Sequence, residues 1–564
     1  MRLLLSFFLA LLCVSLTAQS RISQKVQAER AFYQTASPQQ PFALVPAMDE
    51  RDAGVDDVVG NARFIRLDYQ VADQLRATSP ELLSLQLPLS EGRTIQLNLY
   101  RTRVLAEGAI VRVSSNPGAV FDYEPVLHYR GQIDGDPHSV VAISFLPNEV
   151  MGMIGTAAGN LVLGKMEGVK GDLHILYNDA DLKVAPDFDC GTPDDGRGYT
   201  PEELQHQFQR DVGDCVKQYI EIDDDIVTQK GGATNATNYI EGLFNESFTL
   251  YANDGVTMEA SGILAWDTPA PYSGGSSSAM LSSFQSNTGA FTGDLAQLVS
   301  YQASGGIAAG FSGLCNSNPD NSKCFSSIDA SYNTVPTYSW SVMVITHEIG
   351  HLLGSRHTHA CVWNGNNTAI DGCSGSTEGS CPLPGNPPQG GTIMSYCHLT
   401  SVGINFNEGF GPQPQAVILN NIEAPGNCLD VCTPPQPDDA GISVIVAPNG
   451  SYCATTITPV VTLRNYGSNA LTSVTINYQV DGGTVNSDFW TGNLAAGAST
   501  NVTLPNITVA SGTHTFDAST SSPNGNADSN PANDDASSSF ASGTNALTLT
   551  IVLDNYPEET TWDV

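Results

Sequence analysis

Hydrophobic and polar positions change their period several times along the chain, and the changes predict separate folded regions. In residues 19–200, segments such as 94–100 and 139–145 alternate or run apolar at strand length, with Gly, Asp, Pro and Asn between them. This pattern is typical of β-strands joined by turns. We therefore predict a β-rich first region, which ends in a polar, Gly-rich connector at 187–198.

Residues 211–432 instead alternate between strand-like and helix-like segments. Segments 216–227 and 262–266 have the composition of strands, and 234–251 carries apolar residues at helical spacing. The apolar segment 342–353 predicts a buried helix. This alternation predicts an α/β domain.

The last part of the chain is rich in strand-like segments and poor in helix formers. Residues 433–439 are Pro-rich and predict a stiff linker. Segments such as 460–464 and 473–478 predict that residues 440–541 form a β-sandwich of the immunoglobulin-like type. Residues 545–564 predict the start of a further β module. The chain as a whole is therefore expected to be multidomain.

The N-terminal residues predict that the protein enters the secretory pathway. Arg2 precedes the apolar run 3–16, and small residues follow at Thr17 and Ala18. These features predict a secretory signal peptide over residues 1–18, which is too short to span a bilayer. No later stretch of about 18 apolar residues occurs, so we expect no transmembrane segment in the mature chain. The protein is expected to be secreted, either released or held at the cell surface.

Charge and cysteine content narrow the class of protein. Asp and Glu number 58 against 23 Lys and Arg, a formal net charge of -35. So acidic a chain argues against a nucleic-acid partner, because phosphate binding needs basic patches. Of the 12 cysteines, Cys13 lies in the predicted signal peptide, which leaves an odd number. Setting Cys190 aside leaves ten, enough for five disulfides in an oxidising compartment.

One short stretch carries residues suited to metal chemistry. His347 and His351 are four residues apart, so on a helix both imidazoles project from one face and can bind one zinc. Gly354 can adopt positive φ, end the helix and let the chain deliver His357 as a third ligand. Glu348 is then close enough to act as a base, and one metal position stays open for water, as catalysis requires.

These roles predict hydrolysis of a peptide bond. A water that zinc polarises and Glu348 deprotonates would attack the scissile carbonyl, and Glu348 would pass the proton to the leaving amine. A bare HExxH pattern also occurs by chance. Gly354 and His357 at fixed offsets, in a secreted and cysteine-rich chain, argue against chance here.

The motif at 347–357 resembles that of the metzincin metallopeptidases, whose second hallmark is a Met-containing turn beneath the zinc. Residues 391–397 are similar to that turn, and Met394 would form a hydrophobic floor under the imidazoles. The resemblance implies a catalytic domain with a central mixed sheet and an active-site helix.

Within the metzincins, residues 211–432 are most similar to the adamalysin (reprolysin) group. The similarity rests on the first strand at 219–222 and on the segments 293–298 and 305–315 that precede the active-site helix. One departure is that Thr358 follows the third histidine, where many adamalysins have Asp.

The resemblance implies two further sites. Family members often bind a structural calcium through an acidic residue on the first strand and an Asp before the edge strand, where Glu221 and Asp294 fall. Adamalysin precursors also carry a Cys-Gly whose thiolate takes the fourth zinc position and displaces the water, and Cys190 with Gly191 resembles this switch. Residues 19–200 would then be an inhibitory propeptide. The alternative places Cys190 in a disulfide and leaves another cysteine reduced.

Two classes of function fit these residues. One is a secreted zinc-dependent endopeptidase, made as a latent precursor, that cleaves an extended polypeptide lying beside an edge strand. Arg197 and Arg210 are its candidate processing points. The other is a non-catalytic zinc-containing surface or adhesion protein, for which the predicted sandwich would suit a binding role. Retention of Glu348 together with three ligands and Met394 favours the peptidase. A purely structural zinc site would use four protein ligands.

Overall fold

The computed structural model of the protein describes most of the chain, in the ranges 20–32, 37–45, 55–124, 126–167, 172–183, 190–206, 214–329, 331–332, 335–424, 428–431, 438–467, 469–495, 498–528 and 533–543. The predicted signal peptide, the predicted linker up to residue 437, Arg210 and the predicted further β module lie outside the described residues. The described residues up to 431 form one compact unit, and those from 438 form a second.

The N-terminal region, residues 20–183, is built mainly of strands. Its elements are α1 (Arg21–Phe32), β1 (Phe42–Leu44), α2 (Val55–Val58), β2 (Ala62–Leu67), α3 (Tyr69–Thr78), β3 (Leu82–Ser90), β4 (Arg93–Thr102), β5 (Leu105–Val113), β6 (Leu127–Ile133), β7 (Asp136–Phe145), β8 (Val150–Thr156), β9 (Gly159–Lys165) and β10 (Leu173–Asn178). Nine strands form one antiparallel sheet in the order β1-β2-β10-β9-β8-β7-β6-β4-β3. The segments 94–100 and 139–145, predicted as strands, lie within β4 and β7.

The central region, residues 214–431, is a mixed sheet with helices. Its elements are β11 (Asp214–Ile222), α4 (Asp224–Gln229), α5 (Ala233–Asn253), β12 (Thr257–Ala265), α6 (Ser277–Asn287), β13 (Leu295–Ser300), β14 (Gly306–Ala308), β15 (Lys323–Ser327), β16 (Ser331–Tyr332), β17 (Val335–Pro336), α7 (Tyr338–Leu352), α8 (Pro412–Ile422) and β18 (Asp430–Val431). The sheet order is β14-β15-β13-β11-β12-β5, with β18 beside β11. The edge strand β14 is antiparallel to β15, whereas the inner strands are parallel. The predicted mixed sheet is confirmed.

One strand of this sheet comes from the N-terminal region. β5 runs parallel to β12, with Val111 opposite Ile263 and Val113 opposite Ala265. All four side chains are buried. The N-terminal and central regions therefore share a sheet as well as a hydrophobic core.

One strand is shorter than the sequence predicts. Residues 216–227 were expected to be a single strand, but β11 ends at Ile222 and α4 follows. The reason is local: the Asp223 side chain accepts a hydrogen bond from the Asp224 N–H (2.9 Å) and caps the helix. The predicted helices at 234–251 and 342–353 correspond to α5 and α7.

The second unit is a β-sandwich, which confirms the fold predicted for the C-terminal part of the chain. Its strands are β19 (Ala440–Ala447), β20 (Gly450–Tyr452), β21 (Thr456–Ile457), β22 (Val460–Asn465), β23 (Leu471–Val480), β24 (Asn486–Leu494), β25 (Ser499–Thr503), β26 (Ile507–Thr508), β27 (Gly512–Ser521) and β28 (Asp535–Ser542). A three-stranded sheet, β19-β22-β25, and a five-stranded sheet, β20-β28-β27-β23-β24, enclose one apolar core, and β21 pairs with β26.

Disulfides are present in the central region, as its cysteine density predicts. They include Cys315–Cys428, Cys361–Cys381 and Cys373–Cys397, and Cys215 is also disulfide-bonded. The expectation of five disulfides from ten cysteines is wrong at Cys324. This residue is a buried thiol on β15, with its Sγ 3.7 Å from the carbonyl oxygen of Ala296 inside the sheet. Within the described ranges, no helix is long and apolar enough to cross a membrane.

Candidate metal centre and active site

The end of α7 turns the chain back toward its own helix. Gly354 has a φ of +106°. Its N–H donates to the carbonyl of His351 (2.8 Å), and the N–H of Ser355 donates to the carbonyl of Gly350 (3.0 Å). These paired bonds are a Schellman motif, which glycine stabilises because it adopts positive φ without steric cost. The turn brings His357 back beside the helix.

The imidazoles of His347, His351 and His357 converge on one point. Nε2 of His351 lies 3.1 Å from Nε2 of His347 and 3.1 Å from Nε2 of His357. All three side chains are buried. Burial and the neighbouring imidazoles lower the pKa of His347 and of His351 well below the usual range, so both rings are neutral.

The other nitrogen of each ring is held by a hydrogen bond. The Nδ1 acceptors are the carbonyl oxygen of Ile393 for His347 (2.8 Å), the carbonyl oxygen of Ser355 for His351 (2.7 Å) and the carboxylate of Glu378 for His357 (2.8 Å). Because an acceptor fixes the proton on each Nδ1, each Nε2 presents its lone pair to the shared point. Metal-binding histidines usually have this arrangement, in which the second ring nitrogen donates a hydrogen bond to a carbonyl or carboxylate oxygen.

Glu378 is a site residue that the sequence analysis missed. It lies 21 residues beyond His357 and is brought back by a β-bridge to Ala360. Burial opposes its ionisation, but hydrogen bonds from His357 and His359 lower the pKa of Glu378 to about 2. No local sequence pattern links Glu378 to the motif, so only the fold reveals it.

The connector segment, residues 190–206, places Cys190 at the remaining side of the histidine cluster. Its Sγ lies 3.4 Å from Nε2 of His351 and 3.7 Å from Oε2 of Glu348. Burial, followed by the nearby Glu348 carboxylate, raises the pKa of the thiol well above its usual range. The backbone N–H of Cys190 donates to the hydroxyl of Tyr396 (3.2 Å), which anchors the segment.

This donor set fits zinc. Tetrahedral zinc, with nitrogen at about 2.0 Å and sulfur at about 2.3 Å, would separate two nitrogens by about 3.3 Å and sulfur from nitrogen by about 3.5 Å. The closest separations here are 3.1 Å and 3.4 Å. The ligand atoms of Cys190 and the three histidines all lie within 4.8 Å of one another. Nitrogen and sulfur donors favour zinc over calcium or magnesium, which bind oxygen.

Glu348 lies between the histidine cluster and the edge strand β14. Burial raises its pKa to about 8. Its Oε2 accepts a hydrogen bond from the hydroxyl of Thr192 (3.4 Å), while Oε1 is buried with no hydrogen-bond partner among the described residues. A Cβ at Gly306 would lie 2.3 Å from Oε1, so only glycine lets the edge strand come this close.

The connector segment occupies the cleft between β14 and α7. Cys190 forms a parallel bridge with Gly306, and the Gly191 N–H donates to the Gly306 carbonyl (2.8 Å). The N–H of Ala308 donates to Oγ1 of Thr192 (2.8 Å). The segment thus uses backbone groups of the edge strand that an added peptide strand would use.

Met394 lies directly against α7. A Cβ at Gly350 would lie only 2.7 Å from the Met394 Sδ, so the helix rests on this side chain. The carbonyl oxygen of Met394 accepts from the Thr358 N–H (3.1 Å), next to His357. The structure therefore brings Met394 to the base of the helix and loop that carry the three histidines.

Glu221 and Asp294, predicted for calcium, are not brought into one metal-binding group. The Glu221 carboxylate accepts hydrogen bonds from an indole N–H and two hydroxyls, those of Trp266, Tyr272 and Thr288. Asp294 accepts from the Lys217 N–H (2.7 Å). Calcium needs six to eight oxygen ligands. Neither residue belongs to a candidate metal group in the described part of the chain, so the calcium prediction gains no support.

Two regions of the chain match known protein families. Residues 214–405 match Reprolysin_5, metallo-peptidase family M12, which supports a metallopeptidase and implies zinc. Residues 438–538 match the CARDB family, in agreement with the β-sandwich of the second unit. No curated protein matches the chain.

Solved structures resemble the second unit. The CARDB domain of a Pyrococcus furiosus protein, solved in complex with di-metal ions, is 19% identical, covers 20% of this chain and 97% of its own, and has a TM-score of 0.17. A domain from Methanosarcina acetivorans is 20% identical, covers 19% of this chain and 93% of its own, and also has a TM-score of 0.17. At such TM-scores neither likeness carries an argument about this protein.

Proposed function

We propose that this chain is the latent precursor of a secreted zinc-dependent endopeptidase. The observation that carries the proposal is the convergence of three histidine Nε2 atoms and the Cys190 Sγ at separations that suit one zinc ion. The N-terminal region is its propeptide, and the connector segment keeps the cleft closed to substrate.

Each residue of the site has its own role in the proposed reaction. Zinc, when bound, supplies the Lewis acidity that makes water a nucleophile near neutral pH and stabilises charge on the carbonyl oxygen. His347, His351 and His357 would hold the metal, and their Nδ1 hydrogen bonds keep the rings oriented. Glu348 takes a proton from the attacking water and delivers it to the leaving nitrogen.

The substrate is an extended polypeptide that pairs with β14 after the connector segment has left. The Gly306 carbonyl and the Ala308 N–H, which the connector segment now engages, would then bind the substrate backbone. Secretion follows from the predicted signal peptide, and the disulfides of the central region agree with an oxidising compartment.

Proteolysis by the processed enzyme tests this proposal. We expect wild type to cleave a denatured protein, and Glu348→Gln to bind one zinc but lose on the order of 100- to 10,000-fold in rate. A zinc chelator should abolish cleavage, and re-addition of zinc should restore it. If processed wild type binds zinc and cleaves no substrate, the alternative of a non-catalytic zinc-containing surface or adhesion protein replaces the peptidase.

A further inference from the structure

Arg356 is a buried cation next to the metal centre. It lies between two zinc-ligand candidates in sequence, and its side chain is 2% exposed. The guanidinium carbon lies 4.4 Å from the ring centroid of Phe311 and 4.8 Å from that of Tyr199. Stacking on Phe311, which belongs to the central region, holds the planar guanidinium in one orientation even if Tyr199 leaves with the connector segment.

The counterion of Arg356 comes from the connector segment. Nε lies 2.9 Å from Oδ1 of Asp195, and Nη2 lies 2.6 Å from both carboxylate oxygens. An oxygen of Asp194 lies 3.5 Å from Nε. The Asp195 side chain is 48% exposed, so the space that it fills opens to solvent. Withdrawal of Asp195 would therefore uncover the arginine.

The central region offers no replacement for this counterion. Among the described residues, the carboxylates within ion-pair distance of Arg356 are Asp194 and Asp195, and both leave with the connector segment if processing follows at Arg197 or later. Glu378 is engaged by His357. After the connector segment leaves, the guanidinium faces the open cleft without a carboxylate partner, so it can bind an incoming carboxylate in the same bidentate geometry.

Arg356 lies along the course of the connector segment through the cleft. The connector segment runs from Cys190 at the metal centre, past Thr192 on β14, to Asp195. A cavity of about 150 Å³ beside Arg356 is lined by residues that include Asp195, Tyr199, Phe311, Asn420 and Asn421. An extended peptide in the cleft can therefore place a side chain where the Asp195 carboxylate now lies, about five residues from the reacting bond.

The central region contains few cationic side chains. Arg356 is the only arginine between residues 211 and 432, where the lysines are Lys217, Lys230 and Lys323. In a chain of net charge -35, a fixed arginine in the cleft is a local exception that selects for negative charge.

We propose that Arg356 forms a specificity subsite for an aspartate or glutamate side chain of the polypeptide substrate, and that Asp195 fills this subsite in the precursor. The inference rests on the proposed peptidase function. It goes further by naming the residue that selects the substrate and the chemical class of side chain selected.

Matched peptide substrates test the subsite with the processed enzyme. The peptides differ only in Glu or Gln at one position, from the second to the sixth residue on either side of the cleaved bond. We expect Glu to raise kcat/KM by about 10-fold over Gln at one position, as a bidentate carboxylate contact would. In Arg356→Gln the ratio should fall to about one, and this ratio does not depend on how much of the variant is folded. Lys217→Gln, which removes a cation elsewhere in the region, should keep the preference.

This experiment distinguishes failure of the subsite from failure of the proposed peptidase function. A ratio near one at every position in wild type, or a preference that survives in Arg356→Gln, overturns the subsite while leaving the peptidase intact. If wild type cleaves none of the peptides and no denatured protein, the proposed function itself fails, and the subsite fails with it.

Discussion

The N-terminal region and its connector segment meet the central region in two places that differ in kind. Between Cys190 and Asp195 the side chains that reach into the cleft are polar: a thiol, a hydroxyl and a carboxylate, from Cys190, Thr192 and Asp195. Away from the cleft whole elements take part, because β5 extends the central sheet and β7 packs on α5. Blocking the site and assembling the two regions therefore depend on different contacts, so each can be changed without the other.

The contact away from the cleft, between the N-terminal and central regions, is closely packed. A Cβ at Gly242 on α5 would lie 2.1 Å from the Met151 Sδ, and a Cβ at Gly164 on β9 would lie 2.5 Å from the Tyr338 ring. Such contacts depend on shape rather than on charge. Ion pairs such as Arg103–Glu259 and Lys230–Glu167 also cross between the two regions. The packed glycine contacts are expected to respond to single added methyl groups.

Cys190→Ala should have the largest effect, and only at the cleft. Removing a metal-binding thiolate worth about 3 kcal/mol should raise the activity of the unprocessed precursor by on the order of 100-fold. The melting temperature should fall by only a few degrees, because the packed contact is untouched. Peptide hydrolysis, with gel electrophoresis to show that the chain is uncleaved, measures this. Cys324→Ala removes another buried thiol and should leave the precursor latent.

Acid should weaken the N-terminal region through His174 on β10. Its Nε2 accepts from the Val150 N–H (3.1 Å), and burial lowers its pKa to about 4. Because the unfolded chain has the higher pKa, it takes up the proton first as pH falls. Stability is therefore lost between about pH 6.5 and pH 4, by about 2 kcal/mol from pH 7 to pH 5. Denaturant unfolding of the precursor at both pH values should show this loss in wild type.

The variant His174→Gln should lose that part of the pH dependence, and His138→Gln on β7 should retain it. Equal pH dependence in wild type and His174→Gln would show that the acid response lies elsewhere.

Gly242→Ala should have the smallest effect, with opposite signs in two forms of the protein. In the processed enzyme, alanine within α5 should stabilise the fold by about 1 kcal/mol, since glycine is a poor helix former. In the precursor, the added methyl group meets Met151 and should cost about 1 to 2 kcal/mol. Thermal unfolding of both forms measures the two shifts. Gly275→Ala, with open space around it, is the control. Shifts of equal sign would contradict the close packing.

The sequence predicts the metal centre better than it predicts the surroundings. His347, His351 and Gly354 follow from helix geometry, which acts over a few residues. Glu378 and Gly306 lie far from the motif in sequence, and no periodicity links them to it. Their roles arise only when loops and strands come together in the fold.

Strand pairing also cannot be predicted from local sequence patterns. Alternating residues identify strands such as β4 and β7, but alternation does not say which sheet a strand joins. β5 pairs with β12 of the central region, whereas β4 and β6 on either side of it remain in the N-terminal sheet. The end of a strand is also hard to predict where an aspartate side chain accepts a hydrogen bond from a nearby backbone N–H. Asp223 does this directly after Ile222, the last residue of β11.

X-ray absorption at the zinc edge of the zinc-loaded precursor tests the central claim most directly. We predict one sulfur at about 2.3 Å and three nitrogens at about 2.0 Å, with the sulfur lost in Cys190→Ala. A wild-type spectrum with nitrogen and oxygen ligands alone, or a sulfur that persists in Cys190→Ala, would contradict the account of a cleft closed by Cys190.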